Sequence, residues 1–289
     1  MTPPPFTHRY PRVLSIAGSD SGGGAGIQAD LKTFAALGCF GMTAITALTA
    51  QNTTGVRAIH GVPPQMLRDQ IDAVVEDIGT DAVKIGMLHA PDIVHTVAQA
   101  IDHHRLAQVV LDPVMIATSG AVLIAQDAVQ ALVQQLFPRS VLVTPNLDEA
   151  GFLVGRTLST EADMQAAAHE LLARGARAVL IKGGHLAGDQ VSDLFQTAAG
   201  EAPGQSFWLH APRIATANTH GTGCTLSSAI AAHLALGHEL PQAVRLAHAY
   251  VRQALQAGAP VLTGKGSGPL NHSAAPVAMQ TIALPSSNA

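Results

Sequence analysis

Short apolar runs alternate along most of the chain with stretches in which apolar residues recur every three or four positions. Val13–Ala17 is such a run, and it leads through Gly18-Ser19-Asp20-Ser21-Gly22-Gly23-Gly24-Ala25-Gly26 into Ile27, Leu31 and Phe34 at helical spacing. The pattern predicts a strand, a glycine loop and a helix. Met42–Ala50 reads as a buried strand, Pro64–Ile78 as a helix opened by proline, Ala82–Ile85 as a strand and Pro91–His103 as a helix. Val109–Leu111 and Val141–Val143 follow as strands on either side of a helix at Gln126–Leu136. Thr160–Arg174 is predicted helical, Ala178–Ile181 a strand and Phe207–Ile214 an antiparallel edge strand. Thr222–Leu236 and Pro241–Ala257 close the series as helices, the second with Val244, Ala247, Val251, Ala254 and Leu255 on one face. Repeated β-α units predict an α/β protein with a mainly parallel, doubly wound central sheet and right-handed crossovers. Ligands of such a sheet belong beyond the carboxyl ends of its strands.

Composition sharpens this picture. Apolar residues make up 47% and aromatic residues 3%, as suits helices packed closely on buried parallel strands. No linker-like run, charge block or low-complexity segment interrupts the chain, so residues 12–272 read as a single domain, with tails at 1–11 and 273–289. The net charge is −4 and the basic residues are scattered, which argues against a nucleic-acid partner. The N-terminus has no basic region followed by an apolar run, and no stretch of about 18 apolar residues occurs, so no membrane association and a cytoplasmic location are expected. Cys39 and Cys224 form neither a disulfide framework nor a zinc pattern, and the 14 histidines include no His-Glu-x-x-His. His103 and His104 are expected to end a helix.

The polar motifs fall at the predicted strand ends. Gly24-Ala25-Gly26-Ile27-Gln28-Ala29 satisfies a relaxed dinucleotide fingerprint, but no Asp or Glu lies between Asp30 and Asp69 to hold a ribose. The loop is better read as close backbone approach to a small polar ligand, with Asp20 or Asp30 nearby. Asn218-Thr219-His220-Gly221-Thr222-Gly223-Cys224-Thr225 enters a helix, where glycine-freed N–H groups and the helix dipole make an anion hole suited to phosphate. Gly264-Lys265-Gly266 lacks the spacing of a Walker A loop. Cys224 at this helix start is expected to have a depressed thiol pKa and to accept a hydroxyl proton. Asp112 at one strand end and Glu149 near the next are the expected ligands of Mg2+, and Asn146 and Lys182 are expected to contact ATP. Asn146 and Asp148 can equally cap the turn at Leu147–Val154.

Taken together, these segments resemble the hydroxymethylpyrimidine/phosphomethylpyrimidine kinase family of the ribokinase-like superfamily. The resemblance rests on Gly18-Ser19-Asp20 with Gly23–Thr33, Thr46–Thr53, Lys84–Leu88, Leu111–Met115, Thr144-Pro145-Asn146 with Glu149, Lys182–His185, Asn218–Thr225 and Gly264–Pro269. It implies a three-layer α/β/α sandwich, a homodimer, and transfer of the ATP γ-phosphoryl to 4-amino-5-hydroxymethyl-2-methylpyrimidine and then to its monophosphate, in thiamine biosynthesis. By the same resemblance the pyrimidine lies near Gly18, Asp30, Gln51 and Met87, Cys224 is the base, and Gly221, Thr222 and Gly223 hold the transferred phosphoryl. Gln51 independently offers the donor and acceptor that an aminopyrimidine edge requires. Gly22 departs from the family, which carries a small hydroxyl residue there. Two other readings are a pyridoxal kinase of the same superfamily and a catalytically silent pyrimidine-binding protein. The retained Cys224, Lys182, Asp112 and Glu149 argue against silence.

Overall fold

The computed structural model describes residues 6–115, 126–200 and 204–284; Thr2–Pro5 and the last five residues of the expected tails lie outside it. In chain order the elements are β1 (His8–Arg9), β2 (Arg12–Asp20), α1 (Gly26–Ala36), β3 (Phe40–Asn52), β4 (Gly55–Gly61), α2 (Pro64–Asp77), β5 (Ala82–Ile85), α3 (Pro91–His104), β6 (Val109–Leu111) and α4 (Gln126–Leu136). They continue as β7 (Leu142–Val143), α5 (Leu147–Val154), α6 (Glu161–Ala173), β8 (Ala178–Ile181), β9 (Gln190–Thr197), β10 (Ser206–Pro212), α7 (Thr222–Ala235), α8 (Leu240–Gly258) and β11 (Ile282–Ala283).

Nine strands form one sheet in the order β10-β9-β8-β7-β6-β5-β2-β3-β4. The strands from β3 to β8 in that order are mutually parallel, whereas β4, β9 and β10 join antiparallel at the two sides. Every residue of β5, β6 and β8 is buried, which explains their unbroken apolar sequences: a parallel strand covered on both faces has no solvent side. Helices α2 to α6 pack their apolar stripes on one face, around Ile71, Val97, Leu132 and Leu171. Helices α1, α7 and α8 cover the other, around Phe34, Ile230 and Val251. The result is the expected three-layer α/β/α sandwich. Proline opens α2 and α3, and a capping box between Thr160 and Asp163 opens α6.

Two strands of the nine-stranded sheet were not legible in the sequence. In β4 most residues are exposed, so no apolar period marks it, and β9 carries Gln190, Ser192, Asp193 and Gln196. The segments expected as tails contribute a small antiparallel pair, with His8 opposite Ala283 and Arg9 opposite Ile282. The N–H groups of Val277 and Gln280 also donate to the carbonyls of Ala36 and Gly38, at 2.9 and 2.8 Å.

His272, just before that returning segment, is buried between Thr225 and Tyr250: it shares a hydrogen bond with Thr225 Oγ1 at 3.1 Å, and its carbonyl accepts the Tyr250 hydroxyl at 2.6 Å. Burial, reinforced by Lys32 and His220, pushes its pKa down to about 4. A histidine whose folded pKa lies below its unfolded one costs nothing above pH 6.5 and progressively favours unfolding as the pH falls toward 4, by about 1.4 kcal/mol per pH unit. Melting temperatures measured from pH 8 to pH 4 should therefore be level down to about 6.5 and then decline, with a shallower decline in His272→Asn. An equal slope in the variant would assign the acid sensitivity elsewhere.

Candidate active site

The sheet order reverses between β2 and β5, and a cavity of about 610 Å3 opens there and runs along the carboxyl ends of the strands. Gly18 and Asp20 line it from the end of β2, Gln51 from β3, Lys84 and Met87 from β5 and beyond, Asp112 after β6, Asn146 and Glu149 after β7, Lys182 after β8, and Gly221 to Cys224 at the start of α7. Toward β10 and α8 the lining mixes apolar Val191, Pro212, Ile214, Val251 and Leu255 with Arg213, His248 and Arg252. Of the site residues expected from sequence, all but Asp30 converge on this one cavity.

The register of β2 against β3 slips between Ala17 and Ser19, so Gly18 sits in a bulge. A side chain there would meet Met87, since an added Cβ would lie 2.8 Å from Met87 Cε. The Thr49 hydroxyl donates to the Ser19 carbonyl at 2.8 Å and lies 3.1 Å from Gln51 Oε1, which places the amide beside it.

The cradle is made by a backbone that only glycine allows. Gly221 caps α7 with φ +82°, and no side chain caps the helix in its place. The first N–H groups of a 14-residue helix thus face the cavity with the positive end of its dipole behind them. A Cβ on Gly223 would lie 3.0 Å from Lys182 Nζ and 3.7 Å from Asp112 Oδ2, so the cradle abuts those two groups.

Lys182 donates to Asp112 Oδ1 at 2.8 Å, and Asp112 also accepts from Thr144 Oγ1 and Ser227 Oγ at 3.2 and 3.3 Å. Burial opposes the Lys182 charge, but Asp112 and Glu149 outweigh it and hold the ammonium above its ordinary pKa. Burial pushes Glu149 up to about 7, with Lys182 opposing and the Asp112 charge adding to the rise. Two buried carboxylates that share one lysine leave a local surplus of negative charge. Such a hard-oxygen pair suits a divalent cation that keeps several waters.

Two expectations need correction, and for Asn146 both readings given above stand. Asp30 does not line the cavity: its carboxylate is fully buried behind the wall and accepts from Lys84 Nζ at 2.9 Å on both oxygens, from Ser15 at 2.5 Å and from Ser228 at 2.6 Å. It lies on the inward face of α1, where it holds the wall of the cavity. Asn146 lines the cavity, but its Oδ1 accepts the Glu149 N–H at 2.9 Å while Glu149 Oε2 accepts the Asn146 N–H at 2.7 Å, a capping box that starts α5. Asp148 is exposed beside His185. Finally, the Cys224 thiol is not depressed: burial, with Asp112 and Asp30 adding, pushes it up to about 11 although Lys84 and the Gly26 N–H pull the other way. Burial is the main cause, and the helix start does not offset it. Cys39 is the inert core thiol expected, pushed up to about 12 by burial.

Sequence reasoning missed Lys84 and the pairing of Asp20 with His220. Lys84 had one signal, a lysine inside the apolar run Ala82–Ile85, where an unpaired charge is not tolerated.

An open α/β sheet with an anion cradle at a helix start, flanked by a lysine and two buried carboxylates, defines a small-molecule phosphotransferase of the ribokinase-like class. The family model described as phosphomethylpyrimidine kinase matches residues 20–271, and the chain belongs to that family. It is 49% identical to the hydroxymethylpyrimidine/phosphomethylpyrimidine kinase of Rhizobium meliloti over 90% of this chain and 96% of that protein. It is 51% identical to the thiamine biosynthesis bifunctional protein ThiED of Geobacter sulfurreducens over 91% of this chain, and spans 53% of that longer protein. Among solved structures, an ADP complex of Bacillus subtilis pyridoxal kinase superposes with TM-score 0.84 at 37% identity, covering 92% of this chain and 98% of that one. The phosphomethylpyrimidine kinase of Clostridium difficile superposes with TM-score 0.72 at 41% identity, covering 84% and 99%. Among the described residues no helix is long and apolar enough to cross a membrane.

Proposed function

We propose that this chain transfers the ATP γ-phosphoryl to the hydroxymethyl oxygen of 4-amino-5-hydroxymethyl-2-methylpyrimidine and then phosphorylates the monophosphate to the diphosphate, in thiamine biosynthesis. The observation that carries this reading is that one cavity is lined by Gln51, Met87 and the Gly221–Gly223 cradle, with Lys182 beside Gly223. Gln51 reads the aminopyrimidine edge, the cradle amides take the charge on the moving phosphoryl, and Lys182 draws its equatorial oxygens into line. Asp112 and Glu149 would hold Mg2+, whose chemistry is to neutralise charge on the nucleotide phosphates. The apolar side chains of Val191, Ile214, Val251 and Leu255 near β10 and α8 suit the flat base of the nucleotide. A cytoplasmic homodimer belongs to the same reading.

The two steps ask different things of Cys224. An alcohol must lose a proton as it attacks, whereas a phosphate monoester, with its second pKa near 6, is already an anion at neutral pH. With the thiol pushed up to about 11, little thiolate is present at pH 7, so the assistance it gives stands at the low end of general-base effects. Cys224→Ala is therefore expected to slow phosphorylation of the alcohol by about 10²-fold and that of the monophosphate by less than about 10-fold. ADP release with MgATP and each acceptor, in wild type and variant, checks both the function and this asymmetry. Absence of turnover on either pyrimidine would sink the kinase reading. The pyridoxal kinases among the structural neighbours favour pyridoxal as a second acceptor, and turnover on pyridoxal alone would move the assignment there.

A further inference from the structure

Asp20 and His220 lie 200 residues apart, each in its own glycine loop, yet Asp20 Oδ2 and His220 Nε2 are 2.9 Å apart and both side chains are buried. Asp20 also organises its own loop. Its Oδ1 accepts the Gly22 N–H at 2.8 Å, and its Oδ2 accepts the N–H groups of Gly24 and Ala25 at 3.1 and 2.8 Å. His220 is anchored at its backbone, where its N–H donates to the Gly268 carbonyl at 3.0 Å. The imidazole lies directly over Gly24: an added Cβ there would sit 2.4 Å from the ring, and one on Gly221 would sit 1.9 Å from the Gly24 carbonyl oxygen. The acceptor-side loop and the phosphoryl cradle are therefore fitted to each other, and the Asp20–His220 contact joins them.

The same imidazole nitrogen is 3.4 Å from Gln51 Nε2. A carboxylate only accepts, so the His220 nitrogen that faces Asp20 carries a proton and offers no lone pair to the Gln51 amide. With Gln51 Oε1 packed 3.1 Å from Thr49 Oγ1, the amide N–H groups stay directed at the acceptor.

We propose that the Asp20–His220 pair latches the two glycine loops together, and that His220 is a positioning residue which, by donating its Nε2 proton to Asp20, keeps the Gln51 amide turned to the acceptor ring. The latch works on acceptor recognition and not on the nucleotide. This inference rests on the kinase reading above for its kinetic arm alone.

The test is Asp20→Asn, which removes the negative charge that holds a proton on Nε2, so that the one lone pair of the deprotonated Nε2 becomes available to the Gln51 amide. The expected result is a pyrimidine KM raised about tenfold or more, with kcat within about threefold and the ATP KM within about twofold of wild type. His220→Gln, which keeps an N–H for Asp20, should lie between wild type and His220→Ala. Amide exchange at Gly22, Gly24 and Ala25, followed without substrate, should quicken in His220→Ala and less so in His220→Gln. A pyrimidine KM within twofold of wild type in Asp20→Asn, or an ATP KM that rises as much, overturns the proposal. Unchanged exchange in His220→Ala overturns the latch whatever the enzyme phosphorylates. Failure of the wild type to turn over would count against the kinase reading alone, because the exchange experiment does not depend on it.

Discussion

Gly221→Ala is expected to slow phosphoryl transfer by about 10³-fold or more, a larger loss than Cys224→Ala on either acceptor. Two costs combine. Alanine at φ +82° carries about 1–2 kcal/mol of left-handed strain, and its Cβ would fall 1.9 Å from the Gly24 carbonyl oxygen, a distance no carbon and oxygen can keep. The loop must move, and the amides that follow it move too. Loss of a single aligned donor to a developing anion costs about 10²–10³ in rate, and the cradle supplies its donors from one short backbone segment. The measurement is kcat at saturating MgATP and pyrimidine, with circular dichroism to confirm the fold. A loss smaller than that of Cys224→Ala would show that proton removal, and not alignment, limits the reaction.

Lys84→Met should have the largest effect on stability. Lys84 and Asp30 are both fully buried, and the ammonium meets both carboxylate oxygens at 2.9 Å. Burial opposes the lysine charge, yet Asp30, with Cys224 and Asp112, outweighs burial and raises its pKa above the ordinary value. Removing one partner leaves a carboxylate stranded between α1, β5 and α7, which costs about 3–5 kcal/mol. For a chain of this size that corresponds to a melting temperature lower by roughly 6–20 °C. The double variant Lys84→Met/Asp30→Asn removes the stranded charge and should recover much of the loss. A single variant that melts within 2 °C of wild type, or a double variant no better than the single, would contradict this account.

How far the sequence could be read depended on whether an element declared itself locally. The buried parallel strands did, because a strand covered on both faces must be apolar throughout, and Ala82–Ile85, Val109–Leu111 and Ala178–Ile181 were placed to the residue. Edge strands did not: β4 has almost nothing to bury, and it is recognisable only through its pairing with β3. In the site, residues whose chemistry is carried by backbone or by strand-end position were legible, which is why Gly18, Gln51, Met87, Asp112, Lys182 and Gly221 to Cys224 meet in one cavity. Asp30 misled because its type suits a ligand while its helical face points inward, toward a lysine 54 residues away. The Cys224 pKa misled for a related reason. A helix dipole can be read from a motif, but the burial that raises the thiol, and the Asp112 and Asp30 charges that add to it, come from how other elements pack around it.

The pairing of β1 with β11 puts the points where the chain enters and leaves the domain side by side, at the rim where the parallel strands begin. The cavity opens at the opposite rim. Tension applied between the two ends is therefore borne first by a ladder of two residue pairs, which parts before any load reaches the glycine loops. In the same way, cargo tethered before residue 7 or after residue 284 departs from one spot, with the full length of the strands between it and the mouth of the pocket.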